Sequence, residues 1–127
     1  MLNLIHRQKL SSTALGEWSS VAMTTATGTY YSDAILFTFC NGFADLIVAM
    51  SAGSLAIEYE LSNDGTNFWT PYDTDGTALN SIATALTEDR WLSFAPRPAK
   101  YIRYKFVLTV SNATVTATHQ HTETSGR

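Results

Sequence analysis

Apolar and polar residues alternate along much of this chain with the two-residue period of a half-buried strand, and no long stretch keeps a helical period. The clearest run is 101–110. Ile102, Tyr104, Phe106, Leu108 and Val110 are expected on one face, with Arg103, Lys105 and Thr109 on the other. Residues 54–61 repeat the pattern, placing Leu55, Ile57, Tyr59 and Leu61 inward and Glu58 and Glu60 outward. In 114–122, Val115, Ala117, His119 and His121 share a face opposite a row of threonines that includes Thr116 and Thr118, which reads as a polar C-terminal edge strand. Segments 34–40 and 45–50 are apolar on both faces and belong in a sheet centre or under an interface. Asn41-Gly42 between them predicts a hairpin, because both residues tolerate positive φ. Further strands are expected at 16–23, anchored by Trp18, at 66–72, limited by Pro71, and at 89–94, while 82–86 fits either a short strand or a helical turn. Residues 24–28, 62–65 and 73–80 read as loops. About eight strands at regular spacing, with no internal repeat, predict an all-β antiparallel β-sandwich of jelly-roll type. The domain spans 13–123, preceded by a polar arm at 1–12 and followed by a frayed end at 124–127.

The 127 residues suit one domain, and 45% hydrophobic with 12% aromatic residues are enough for a core. Only 15% are charged, so Ser, Thr and Asn must supply much of the surface, as on a face made to meet another face. A net charge of −3 gives no electrostatic case for nucleic acid. The single cysteine, Cys40, rules out a disulfide within the chain and reads as a buried, inert thiol. No apolar run follows the basic residues near the N-terminus as in a signal peptide, and the most apolar stretch, 34–50, is broken by Asn41, Gly42 and Asp45 before it could span a membrane.

Candidate chemistry is sparse. His119 and His121, at i and i+2, could point at one metal with Glu123 continuing the face, or meet their copies on a trimer axis. The edge-strand reading is simpler. Asp73-Thr74-Asp75-Gly76 begins like a calcium loop, but Gly76 stands fourth where that loop needs it sixth, so a polar turn is expected. Asp64, between Asn63 and Gly65, is a turn former, and Glu58 and Glu60 share one strand face rather than opposing across a cleft. The histidines lie at the chain ends, no nucleophile–base pair can be assembled, and no phosphate-cradling loop is present; the chain is expected not to be an enzyme and to need no cofactor. Trp69, Tyr72 and Tyr31 lie near predicted loops and are the aromatics expected to be exposed. Trp69 and Tyr72 with Asp73 and Asp75 would make a glycan site in a carbohydrate-binding module.

Residues 57–69, containing Ser62-Asn63-Asp64-Gly65 and Trp69, resemble the strand-turn-strand of discoidin-like jelly rolls, and 98–104 with Tyr101-Ile102-Arg103-Tyr104 resembles their later strand. Residues 62–106 as a whole are similar to small virion structural proteins of tailed bacteriophages. That resemblance implies a virion component assembled in the bacterial host cytoplasm. Its most specific form is a capsid decoration, or cement, protein: a homotrimer binding the major capsid protein. Arg7, Lys9, Trp18, Thr116, Thr118, His119 and His121 would make the contacts. A tail, fibre or baseplate component fits the same resemblance, and no membrane partner is implied.

Overall fold

The computed structural model describes residues 5–8, 23–24, 26–36 and 40–124. These form β1 (Ile5–Gln8), β2 (Met23–Thr24), β3 (Gly28–Tyr31), β4 (Ile35–Leu36), β5 (Cys40–Met50), β6 (Ser54–Ser62), β7 (Ser81–Leu86), β8 (Arg90–Phe94), β9 (Tyr101–Thr109) and β10 (Thr114–Thr124). The fold is an all-β sandwich of two antiparallel sheets. The first has the order β1-β10-β5-β8, with β2 also on β10; the second has β3-β9-β6-β7, with β4 also on β9.

The period of two determines what is buried. Ala44, Leu46, Val48, Val115 and Ala117 of the first sheet meet Leu55, Ile57, Tyr59, Ile102, Tyr104, Phe106 and Leu108 of the second in one core. Tyr59, Phe94, Tyr104 and Phe106 form a chain of ring contacts through it, with centroids 5.5–6.1 Å apart. Among the crossings between the sheets at one end are 51–53 and 110–113. The crossings are tied together, since the Ser51 N–H donates to the Thr114 carbonyl and the Thr114 N–H to Ser51 Oγ, at 3.1 and 2.9 Å.

Several expectations change. Asn41-Gly42 is not a hairpin. β5 runs straight through it and pairs with β10 on both sides, His121 with Ala44 and Glu123 with Cys40. Three residues of β5 therefore oppose one of β10, and the positive φ of Gly42, 95°, is used for a bulge. β10 is not an edge strand, since β5 lies on one side and β1 and β2 on the other. Its inward face buries His119 and His121, with relative exposures of 0% and 2%, so neither reaches a surface or a trimer axis. Residues 66–72 form no strand: Trp69 makes a single bridge to Leu61 of β6, and Tyr72 one to Ala78 of the loop that follows. Residues 81–86 resolve as strand, and β3 was not foreseen.

Ile5–Gln8 of the expected arm folds back onto the end of β10 of its own chain. Lys9, Trp18 and most of the predicted strand at 16–23 lie outside the described residues, as do the side chains of Arg7 and Cys40.

Val110 leaves the inward face it was assigned, with a φ of 77° and 84% exposure. The Ser111 N–H donates to the Thr109 carbonyl at 2.9 Å, closing a γ-turn about Val110. A β-branched residue is strained there. Val110→Gly is therefore expected to raise the unfolding free energy by about 1 kcal/mol, the relieved strain outweighing the added freedom of the unfolded chain. Urea denaturation measures it, and a loss of stability would refute the strain.

Candidate functional site

Two surfaces can meet a partner, and the outer faces of the sheets differ in what they leave unsatisfied. On the second sheet, Glu60 pairs with Arg103 at 2.7 Å, and the guanidinium lies between the Tyr31 and Phe68 rings, 4.4 and 4.3 Å from their centroids. Beside it Glu58 faces Lys105 at 4.0 Å and accepts from the Asn80 amide at 3.4 Å. The glutamates expected to face solvent are thus half-buried and paired across strands, and this face is largely satisfied within the chain.

The first sheet is different. Register places Thr118, Ile47 and Trp91 in one row across β10, β5 and β8, with Thr116 and Ala49 in the next row. Trp91 is 62% exposed, and Ile47, Thr116 and Thr118 are half-buried. Below them Asp45 accepts from Ser93 Oγ at 2.5 Å and from the Gln120 amide at 3.2 Å, and at the other border Asp89 accepts from the Met50 N–H at 2.9 Å. The result is a flat apolar-and-threonine face bounded by a satisfied polar row. Sequence reasoning found Thr116 and Thr118 but missed Trp91 and Ile47. The signal was present: Trp91 alternates in phase with Ser93, and Ile47 with Asp45, so both had to point outward.

The second surface is built by the Ser62-Asn63-Asp64-Gly65 turn. The Asp64 carboxylate accepts from the N–H groups of Asn67 and Thr66, each at 2.8 Å, from the Asn67 side-chain amide at 2.8 Å and from Ser62 Oγ at 2.9 Å. Those donors, the Asn67 N–H first, hold its carboxyl well below the usual carboxylate range. Ser62 Oγ in turn accepts from the N–H groups of Asp64 and Gly65. Gly65 has a φ of 78°, and a Cβ there would stand 3.4 Å from the Tyr101 ring. The loop closes where Leu61 and Trp69 exchange both backbone hydrogen bonds, at 2.8 and 2.9 Å. This fixes the base of Trp69, whose side chain stays 71% exposed. A groove of about 370 Å³ runs beside it, lined by Asn63, Asp64, Asn67, Pro71 and Pro98 among others.

Tyr31 and Tyr72 are exposed as expected, at 51% and 63%. Tyr72, Asp73 and Asp75, however, do not line the groove with Trp69. They belong to a small hairpin in which the Asp73 N–H donates to the Thr77 carbonyl and the Gly76 N–H to the Asp73 carbonyl. The carboxylates serve this turn: Asp73 accepts from the Thr74 N–H at 2.8 Å and Asp75 from the Thr77 N–H at 2.9 Å, and Thr77 lowers the Asp75 pKa. Among the described residues no three His, Cys, Asp or Glu side chains gather as a metal site. No helix among them is long and apolar enough to cross a membrane.

The two histidines form a buried polar chain instead. The Tyr104 hydroxyl lies 2.5 Å from His119 Nδ1, and His119 Nε2 lies 2.8 Å from His121 Nδ1. It links the sheets, since Tyr104 is on β9 and the histidines are on β10. Burial, with the neighbouring His121 charge second, pushes the His119 pKa down to about 3, so the ring is neutral across the physiological range.

No protein-family profile and no curated protein matches this sequence. Solved structures do resemble it in fold. The SPBc2 prophage-derived protein YomS aligns over 94% of this chain and 97% of its own, at 12% identity and a TM-score of 0.52. The enzymatically active domain of bacteriophage CBA120 tailspike protein 4 aligns over 72% of this chain and 13% of its own, at 12% identity and a TM-score of 0.44. The module CsCBM6-3 of Clostridium stercorarium, solved with cellobiose, aligns over 84% and 72%, at 15% identity and a TM-score of 0.40.

Proposed function

We propose that this protein is a structural component of a phage virion, in its most specific form a homotrimeric capsid decoration protein that binds the assembled shell through the outer face of its first sheet. The row Thr118–Ile47–Trp91 carries the reading. An exposed tryptophan beside an isoleucine, on a threonine-bearing face whose bordering carboxylates, Asp45 and Asp89, are already hydrogen-bonded, loses little on desolvation and gains apolar burial. The paired second sheet offers no such gain. The full-length likeness in fold to a prophage-derived protein supports the same reading, as do the virion-like residues 62–106. Mechanically, a cement protein needs only to bury complementary surface across a seam between shell subunits. Binding the assembled state in preference to its parts then stabilises the shell by mass action.

Cosedimentation with assembled phage capsids, together with mass by light scattering, tests this. The chain is expected to pellet with shells and to weigh as three copies in solution. Trp91→Ala should weaken capsid binding at least about tenfold, as for a central aromatic anchor, while leaving the melting temperature close to that of the parent because the ring is exposed. Undiminished binding by the variant would remove the first-sheet face from the proposal. A monomer that never pellets with capsids would remove the decoration role itself.

A further inference from the structure

We propose that the groove beside Trp69 is a binding site for a neutral saccharide, with one pyranose ring laid on the indole and its hydroxyls met by Asn63 and Asn67. The site lies at the end of the second sheet, where β6 leaves and β9 enters, and shares none of its lining residues with the face proposed to meet the capsid.

Three features of the groove select this ligand. The first is a preorganised platform. Trp69 is 71% exposed, yet its backbone is locked to Leu61 by two hydrogen bonds, so a flat apolar ring is offered from a fixed base and no main chain is left to order there on binding. The second is the polar wall. The Asn67 side chain donates to Asp64 at 2.8 Å, which sets the amide's orientation and turns its carbonyl oxygen away from the carboxylate. With the exposed Asn63 amide it presents neutral donors and acceptors, as a polyol needs. The third is charge. Asp64 stays ionised on the same wall and disfavours anions, yet it is held by four hydrogen bonds from its own loop and is poorly placed to become the counter-ion of a cation. A single aromatic ring makes no cage for a quaternary ammonium.

Size agrees. About 370 Å³ lies at the small end of ligand sites, and beyond Asn63, Pro98 and Ala99 the surface continues into a shallower hollow reaching Lys100, with room for a second ring. Tyr72, Asp73 and Asp75 are not part of this site.

The test is a titration of the isotope-labelled full chain, followed by NMR. The probes are methyl glucoside, methyl galactoside, N-acetylglucosamine and cellobiose, each raised to about 50 mM because one ring on one indole binds weakly. At least one probe is expected to shift the Trp69 indole N–H and the Asn63 and Asn67 side-chain amides while leaving the Trp91 indole unmoved. Trp69→Ala, which should fold normally because the ring is exposed, is expected to weaken that probe at least about tenfold. Asn63→Ala, which removes no hydrogen bond that holds the Asp64 loop, should weaken it more modestly. The proposal is overturned if no probe shifts these signals, if the shifts survive Trp69→Ala, or if tetramethylammonium or a proline-rich peptide moves the same signals at lower concentration.

Discussion

Gly53→Ala is expected to lower the unfolding free energy by about 3 kcal/mol, making it among the most damaging single-methyl additions in the molecule. Gly53 lies between β5 and β6 with a φ of 80°, where any L side chain is strained. Space is the larger obstacle. A Cβ there would sit 2.8 Å from the Ser111 carbonyl oxygen, 2.9 Å from Leu108 Cδ1 and 3.1 Å from the Thr109 carbonyl oxygen. Two of those atoms are backbone, where β9 ends and crosses to β10, so relief requires moving that crossing between the sheets. Gly42 and Gly76 are the natural controls. Their φ values are 95° and 90°, but a Cβ at either meets nothing within 4 Å. Alanine at those positions should cost only the conformational share, about 1 kcal/mol. Chemical denaturation of the three variants separates strain from collision. Equal losses at all three would mean that the two crossings are not packed against each other.

The second large effect concerns the buried chain Tyr104–His119–His121. His119→Ala should cost about 3–5 kcal/mol, because it opens a cavity in the core and removes a hydrogen-bond partner from both the Tyr104 hydroxyl and the His121 ring. The chain also carries a pH signature. The folded pKa of His119 is about 3 against an ordinary 6.5. Above pH 6.5 the ring is neutral in both states and its contribution to stability is fully present. As pH falls from 6.5 toward 3 the unfolded chain takes up a proton that the folded chain refuses, and stability falls by about 1.4 kcal/mol per pH unit once the unfolded ring is charged. Urea denaturation between pH 7 and pH 4.5, above most carboxylate titration, should therefore show a steeper acid loss in the parent than in His119→Phe, by about one proton. Parallel profiles would show that His119 is not the group refusing the proton.

Much of the fold was legible from alternation. The faces of β6 and β9 and the shared face of β10 follow from which residues recur every second position, and the central place of β5 from its being apolar on both faces. The Ser62-Asn63-Asp64-Gly65 turn was legible for the same local reason: its residues hydrogen-bond their own loop and tolerate its backbone, whatever packs around them.

The errors share a cause. Asn41-Gly42 has the backbone freedom of a hairpin, but the same freedom serves a bulge, and only the pairing of β5 with β10 on both sides of it chooses between them. Val110 continues the alternation of β9, yet the chain must turn there to reach the other sheet, and that turn carries it outward. His119 and His121 were placed on a polar edge because histidine is a polar residue. In the folded chain the Tyr104 hydroxyl arrives from the opposite sheet to satisfy them, a partner fifteen residues away that no local pattern contains.

The sequence by itself thus determined the fold class, the shared faces of β6, β9 and β10 and the local chemistry of the 62–65 turn, because these depend on neighbours one to four positions apart. Tertiary structure alone decided that β10 lies inside a sheet, which polar residues find partners in the core, and that Trp69 and Trp91 end on separate surfaces. Those outcomes depend on segments far apart in the chain being brought together.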